Sequence, residues 1–170
     1  NSTELALHTD ATDIVGMMCL VPAREGGLSG YAGAAAIYNE LLDHHPDVLP
    51  ILCEGFHYHL FGEHAPGESP VTEEKTPVFS EKDGCLSISY LRSYIEMAFA
   101  HMGKEKTAAE SEALDTLDQV AHGPKCFRQF MLSPGDMLFF SNYTVLHNRT
   151  AFVDDDDLDK RRHLLRLWLR

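Results

Sequence analysis

At 170 residues, with 44% hydrophobic and 24% charged side chains, the chain has the proportions of one globular domain large enough to bury a core. Its formal net charge of −12 argues against nucleic acid or an anionic membrane surface as the main partner, although a few arginines in a pocket can still hold a small anion. Apolar runs stay well short of the roughly 20 residues that cross a bilayer.

The first chemical feature in chain order is LHTD, where His8 and Asp10 stand two apart in a stretch that reads as a strand and so project to one side. DIVGMMCLVPA, Asp13 to Ala23, is a continuous apolar run of strand length closed by a proline. The glycine-rich turn REGGLSGYAG leads into AAAIYNELLDHHPDVLPIL, which reads as a helix stopped before Pro46 and a shorter one after it. EGFHYHLFGEHAPGESPVTEEKTP carries three prolines and three glycines, the composition of a long surface loop or hairpin, and loops that long are often functional. PVFSEKDGCLSISY is a hairpin signal with Asp83-Gly84 at its tip.

LRSYIEMAFAHM and TAAESEALDTLDQVAHG read as helices, the second with Ala113, Leu117 and Val120 on one stripe and Gly123 as its stop. CFRQFML and MLFFSNYTVLHN then read as two strands joined by the turn from Ser133 to Asp136, and RRHLLRLWLR as a last one. Strands at both ends with helices between predict a single domain, 1–170, built as a sheet sandwich or barrel with a helical insert. Cys19, Cys53, Cys85 and Cys126 are scattered without a CxxC pair, so they read as free thiols in a reducing, cytoplasmic setting. The sequons at Asn1, Asn142 and Asn148 are taken as chance matches on that expectation.

Chemistry concentrates at the two ends of the chain. The apolar run MLFFSNYTVLHN ends in His147, and Arg162 and Arg166 share parity within RRHLLRLWL, so a strand turns both the same way. A guanidinium in an apolar strand needs a partner, and a planar carboxylate fits its fork best. Two neutral imidazoles and a carboxylate are the facial triad of non-haem iron(II) oxygenases, which leaves three coordination positions open. A 2-oxo acid fills two of them and dioxygen the third, with an arginine on the far carboxylate.

LHTDATDIVGMMCLVPAREGGLS, PGDMLFFSNYTVLHNRTAF and RRHLLRLWL together resemble the taurine dioxygenase-like (TauD/TfdA) family of iron(II)/2-oxoglutarate oxygenases. The resemblance implies a mostly β fold with flanking helices, a double-stranded β-helix (jelly-roll) barrel with a helical insert. It implies His8, Asp10 and His147 as iron ligands, and Arg162 as the partner of the distal carboxylate of 2-oxoglutarate. Ser29, in GGLS, would add a hydrogen bond where the family often has threonine. Arg166 matches the position that grips the anionic group of the substrate in taurine dioxygenase.

The implied reaction is hydroxylation or desaturation of an unactivated C–H bond in a small anionic molecule, with release of succinate and carbon dioxide. The family's HxD motif normally follows a substantial N-terminal portion, so such a portion is expected upstream of these residues.

Outside the resemblance, Asn142, a polar amide in an apolar strand, and Tyr90 are further candidates for contact with the substrate. Arg149 and Thr150 follow the distal ligand and are placed to brace it, while Arg92 opens a helix and reads equally as a surface residue. A closed homo-oligomer is the prior expectation for assembly.

Two other readings stand beside this one. HYHLFGE offers His57, His59 and Glu63 in the HxHxxxE spacing of a cupin metal site; however, Gly55 lies closer to the first histidine than that pattern wants. The barrel could also be a binding module without turnover, which conversion of 2-oxoglutarate to succinate distinguishes. Taken singly, His8 and Asp10 could be a strand-edge pair, His147 a core histidine, and Arg162 a partner for the acidic run Asp154 to Asp159, a duty that suits Lys160 and Arg161 better.

Overall fold

The computed structural model describes residues 2–170. The chain begins with β1 (Leu5–His8), β2 (Ile14–Val21), β3 (Glu25–Gly26) and β4 (Ser29–Gly33). Helices α1 (Ala34–His44) and α2 (Leu49–Glu54) follow, with a 3-10 turn between them, and then the hairpin β5 (Phe79–Lys82) and β6 (Cys85–Ile88). After α3 (Arg92–Met102) and α4 (Ala108–Ala121) come β7 (Phe127–Phe130), β8 (Met137–Ser141), β9 (Val145–Arg149), β10 (Phe152–Val153) and β11 (His163–Leu169).

Two antiparallel sheets carry the architecture, one in the order β1-β9-β4-β7 and the other β11-β2-β8. They face each other. Phe140 of β8 packs edge-on against Tyr31 of β4, with ring centroids 5.3 Å apart, and lies 5.0 Å from the His147 ring of β9. This is the mostly β, jelly-roll arrangement with inserted helices that the sequence leads one to expect.

Local chemistry accounts for the element ends. Thr107 and Glu110 form a reciprocal capping box on α4, with the Thr107 hydroxyl accepting from the Glu110 amide at 3.1 Å. Gly103, at φ 63°, closes α3 in the left-handed conformation that L residues resist. Asp83 and Gly84 both adopt positive φ, 55° and 76°, as a two-residue hairpin turn requires. The long segment after α2 is tacked down by bridges between Phe56 and Thr76 and between His59 and Val71.

One strand assignment is corrected. MLFFSNYTVLHN is not continuous: it breaks at the turn Ser141 to Thr144, so β8 joins β2 in one sheet while β9 joins β1 and β4 in the other. Asn142 makes the break possible, since its amide N–H donates to the Asp13 carbonyl at 2.9 Å and asparagine tolerates turn geometry. The transfer between sheets carries His147 to the same layer as His8.

The main core lies between the four-stranded sheet and the helices. Leu7 and Leu146 meet Ile37 and Leu41 of α1, Leu52 of α2, and Leu114 and Leu117 of α4, all essentially without solvent contact. Arg92 fixes α3 to α4 through Asp115 at 2.7 Å and Asp118 at 2.8 Å, a more structural role than a surface residue would have. On the other sheet, β11 alternates strictly. Leu164, Arg166 and Trp168 pair with Cys19, Met17 and Val15, and Leu164 and Arg166 reach the space between the sheets. Leu165 and Leu167 share a hollow on the outer face with Met137 and Phe139.

The core position predicts a clear contrast. Leu117→Ala should cost about 2–5 kcal/mol, whereas Leu42→Ala, on the exposed side of α1, should change stability by no more than about 0.5 kcal/mol. Urea unfolding of the two variants checks this.

Candidate metal centre

The segment after β1 is bent and held from three directions. Thr9 donates its amide to the Tyr90 carbonyl at 2.8 Å and its hydroxyl oxygen accepts from the Tyr90 amide at 3.1 Å. The Asp10 amide donates to Asn142 Oδ1 at 2.9 Å, and Asn142 Nδ2 donates to the carbonyls of Asp10 and of Thr12, the latter at 2.9 Å. The Thr12 hydroxyl donates to the Leu169 carbonyl at 2.8 Å.

Asn142 and Tyr90, read from the sequence as substrate contacts, are therefore placed differently. Asn142 is buried with its amide spent on the backbone around Asp10. Tyr90 is buried with its hydroxyl donating to Asp118 at 2.8 Å. Neither lines the cavity beside the two histidines. Both instead hold the ligand-bearing segment in place.

His8 and His147 are directly opposed partners in the β1–β9 ladder, with ring centroids 4.2 Å apart. Asp10 completes the group: its Oδ1 lies 3.6 Å from His8 Nε2 and its Oδ2 3.6 Å from His147 Nε2. The three offer ligand atoms within 4.8 Å of one another and are the only such group among the described residues.

His8 Nδ1 lies 2.8 Å from the Ala6 carbonyl oxygen, which can only accept, so the ring proton belongs on Nδ1. His8 Nε2 is then the nitrogen turned toward the Asp10 carboxylate, 3.6 Å away, where a proton or a metal cation can sit between the two. Burial pushes the His147 imidazole toward its neutral form, against the pull of Asp10. Burial also opposes charge on Asp10, but the neighbouring imidazoles of His147 and His8 outweigh it and hold the carboxyl well below the usual carboxylate range. Two neutral nitrogen donors and one ionised oxygen donor fit a divalent transition metal.

A cavity of about 280 Å³ opens beside the two histidines, between the sheets. Arg162 reaches it half-buried, and among the described residues its guanidinium has no carboxylate within salt-bridge distance. It lies 5.1 Å from the Phe152 ring, and the Arg149 guanidinium lies 4.7 Å from that same ring. Burial and the charge of Arg149 both work against the positive charge on Arg162, while Asp154 supports it. Ser29 also lines this cavity and stands directly opposite Arg149 in the β4–β9 ladder.

Tyr31, two residues on and opposite His147, faces the cavity with Ser29. Burial pushes its hydroxyl pKa up, while Ser29 and Arg162 pull it back. Sequence reading missed Tyr31, although its period-two spacing from Ser29 was available. Thr150 braces the strand end by accepting from the Leu28 amide at 3.0 Å, and Arg149 donates to the Thr3 carbonyl.

Arg166 sits at the cavity edge, 3.5 Å from Asp10 Oδ2 and stacked 4.7 Å from the Trp168 ring. Trp168, also missed, donates its indole N–H to that oxygen at 3.0 Å. The cupin alternative is corrected. His57 Nδ1 is engaged with the Thr72 carbonyl at 2.9 Å and His59 Nδ1 with the Phe61 amide at 3.0 Å, and these residues and Glu63 form no ligand group. In the acidic run, Lys160 pairs with Asp157 at 3.1 Å and Arg161 donates to the Asp155 carbonyl at 3.3 Å.

Comparison with known proteins places this geometry in context. Residues 1–168 match the family model described as "Taurine catabolism dioxygenase TauD, TfdA family". The chain is 37% identical over 168 residues to FR-33289 synthase of Streptomyces rubellomurinus, covering 97% of this chain and 49% of that protein. It is 33% identical over 171 residues to the taurine hydroxylase-like protein SAT17 of Stachybotrys chartarum, covering 96% of this chain and 41% of that one. The chain thus spans about half the length, or less, of the curated relatives it matches. Among solved structures, asparagine oxygenase in complex with Fe(II), 3-hydroxyasparagine and succinate shares the fold, with a TM-score of 0.73 at 21% identity over 99% of this chain and 50% of that chain.

The role given to Asn142 is testable. Asn142→Ala strands a buried amide and carbonyl groups around Asp10, so it should cost about 1–3 kcal/mol per unsatisfied group and weaken Fe(II) binding in parallel. Urea unfolding and metal titration of the same variant measure both effects.

Proposed function

The chain belongs to the TauD/TfdA dioxygenase family, and on that premise we propose that it is the iron(II)- and 2-oxoglutarate-binding part of an oxygenase acting on a small, anionic organic molecule in the cytoplasm. The observation that carries this reading is one juxtaposition. His8 and His147 of the ligand group and a half-buried Arg162 whose guanidinium has no ion pair among the described residues border the same space between the sheets.

In this reading His8, Asp10 and His147 hold the iron through two imidazole nitrogens and one carboxylate oxygen. The chemistry supplied by iron(II), 2-oxoglutarate and dioxygen is oxidative decarboxylation to succinate and carbon dioxide, coupled to oxidation of an unactivated C–H bond. Arg162 anchors the far carboxylate of the 2-oxo acid with its guanidinium fork, and the hydroxyls of Ser29 and Tyr31 offer further donors there. Phe140, Met17 and Leu164 give the cavity apolar walls that limit water around the reacting groups. Arg166, at the rim, presents unused N–H donors to an anionic group of the substrate, setting which carbon faces the metal. Hydroxylation and desaturation both remain within this chemistry.

Purified protein supplied with Fe(II), 2-oxoglutarate and oxygen should release one succinate per 2-oxoglutarate consumed. Arg162→Leu should raise the half-saturating 2-oxoglutarate concentration at least about 10-fold, as expected for loss of a charge-assisted pair worth about 1.5–3 kcal/mol, while leaving iron affinity within about twofold. An absence of succinate under all conditions would favour a binding module. An unchanged 2-oxoglutarate requirement would move the anchoring role away from Arg162.

A further inference from the structure

Trp168 is the sole tryptophan of the 170 residues. It stands near the end of β11, and its ring is not there for burial, since the residue is 53% exposed. Its one polar atom is nonetheless aimed at a group that is almost wholly buried. The indole Nε1–H donates at 3.0 Å to Oδ2 of Asp10, whose side chain is only 10% exposed. An indole N–H can donate but never accept, so it requires an acceptor at that place, and here the acceptor is a carboxylate oxygen. Arg166 approaches the same oxygen at 3.5 Å, and its guanidinium lies 4.7 Å from the indole centroid, which holds the ring in plane with its target.

The two carboxylate oxygens of Asp10 are therefore not equivalent. Each oxygen lies 3.6 Å from one histidine nitrogen, Oδ1 from His8 Nε2 and Oδ2 from His147 Nε2, but only Oδ2 meets donors from β11, and Oδ1 has no N–H donor among the described residues. A carboxylate free to rotate can bind a metal through one oxygen or both, and chelation by both would consume a position that a second ligand needs. Donors locked onto one oxygen remove that freedom, and such outer partners typically set metal affinity by 10–100-fold.

We propose that Trp168, steadied by the stacked Arg166, is the positioning residue that fixes the rotation of the Asp10 carboxylate in the orientation that receives the metal. The inference rests on the metal-site reading above and extends it to a residue that touches neither metal nor substrate.

Trp168→Phe keeps a ring and removes the N–H; Trp168→Gln removes the ring and returns an N–H the same number of bonds from Cα. Anaerobic calorimetry with Fe(II) alone should show the Phe variant binding about 10–100-fold more weakly and the Gln variant within a few-fold of the unaltered protein. Metal-free urea unfolding of all three should remain a single cooperative transition, so that the affinities compare folded proteins. A Phe variant within twofold of the unaltered protein overturns the proposal, as does a Gln variant as weak as the Phe variant, because ring packing would then carry the effect.

A second measurement needs no variant. Fe(II) should quench the Trp168 fluorescence along the calorimetric binding curve, and unchanged emission at full occupancy would refute the placement of the indole at the ligand. Absence of Fe(II) binding by the unaltered protein would remove the metal-site reading itself, an outcome distinct from failure of the Trp168 inference alone.

Discussion

One imidazole nitrogen turned toward a buried carboxylate, with another imidazole beside it, is the interaction on which the structure depends. His8, Asp10 and His147 bring two imidazole nitrogens within 3.6 Å of the two oxygens of one carboxylate whose side chain is only 10% exposed. A buried charge without compensation is strongly destabilising, and here the compensation from the protein is partial: an indole N–H, a guanidinium at 3.5 Å, and the amide framework around Asn142. A divalent cation between the three side chains would complete that compensation. On the proposed reading, that crowding of donor atoms is the source of metal affinity.

The fold exists to hold that group together while leaving one side open. His8 and His147 come from neighbouring strands of one sheet, whereas Arg162, Arg166 and Trp168 come from or just before the last strand of the other. Helices α1, α2 and α4 fill the far side of the four-stranded sheet with apolar packing, so the ligand strands rest on a rigid base and the cavity stays between the sheets. Within a chain of net charge −12, Arg149 and Arg162 flank a single phenylalanine and face the cavity, and among the described residues no carboxylate pairs with the Arg162 guanidinium. On the proposed reading, that local inversion of the global sign receives the anionic cosubstrate.

Much of this was legible before any coordinates. The period-two pair of His8 and Asp10, the shared parity of Arg162 and Arg166, and the glycine and threonine signals at the helix ends follow from local rules, while the family resemblance added His147. What the sequence concealed were features set by long-range pairing. Nothing local says that MLFFSNYTVLHN must break so that its halves enter different sheets, because its apolar run satisfies a single strand equally well. The duties of Asn142 and Tyr90 depend on their contact with residues around Asp10, 132 positions away in the case of Asn142. Tyr31 and Trp168 were hidden as ordinary aromatic members of apolar strands, and only the facing sheet reveals what their polar atoms meet. HYHLFGE shows the reverse: a motif with acceptable spacing whose histidines turn to the backbone.

The central claim is that these three side chains, and no others in the chain, hold the iron to which the 2-oxo acid binds. Its most direct test is the visible charge-transfer absorption that forms when Fe(II) and 2-oxoglutarate are mixed anaerobically with the protein. The account predicts the band for the unaltered protein and for His57→Ala, and its loss in His8→Ala and His147→Ala at the same concentrations. A band that survives His8→Ala, or one that disappears with His57→Ala, would contradict it.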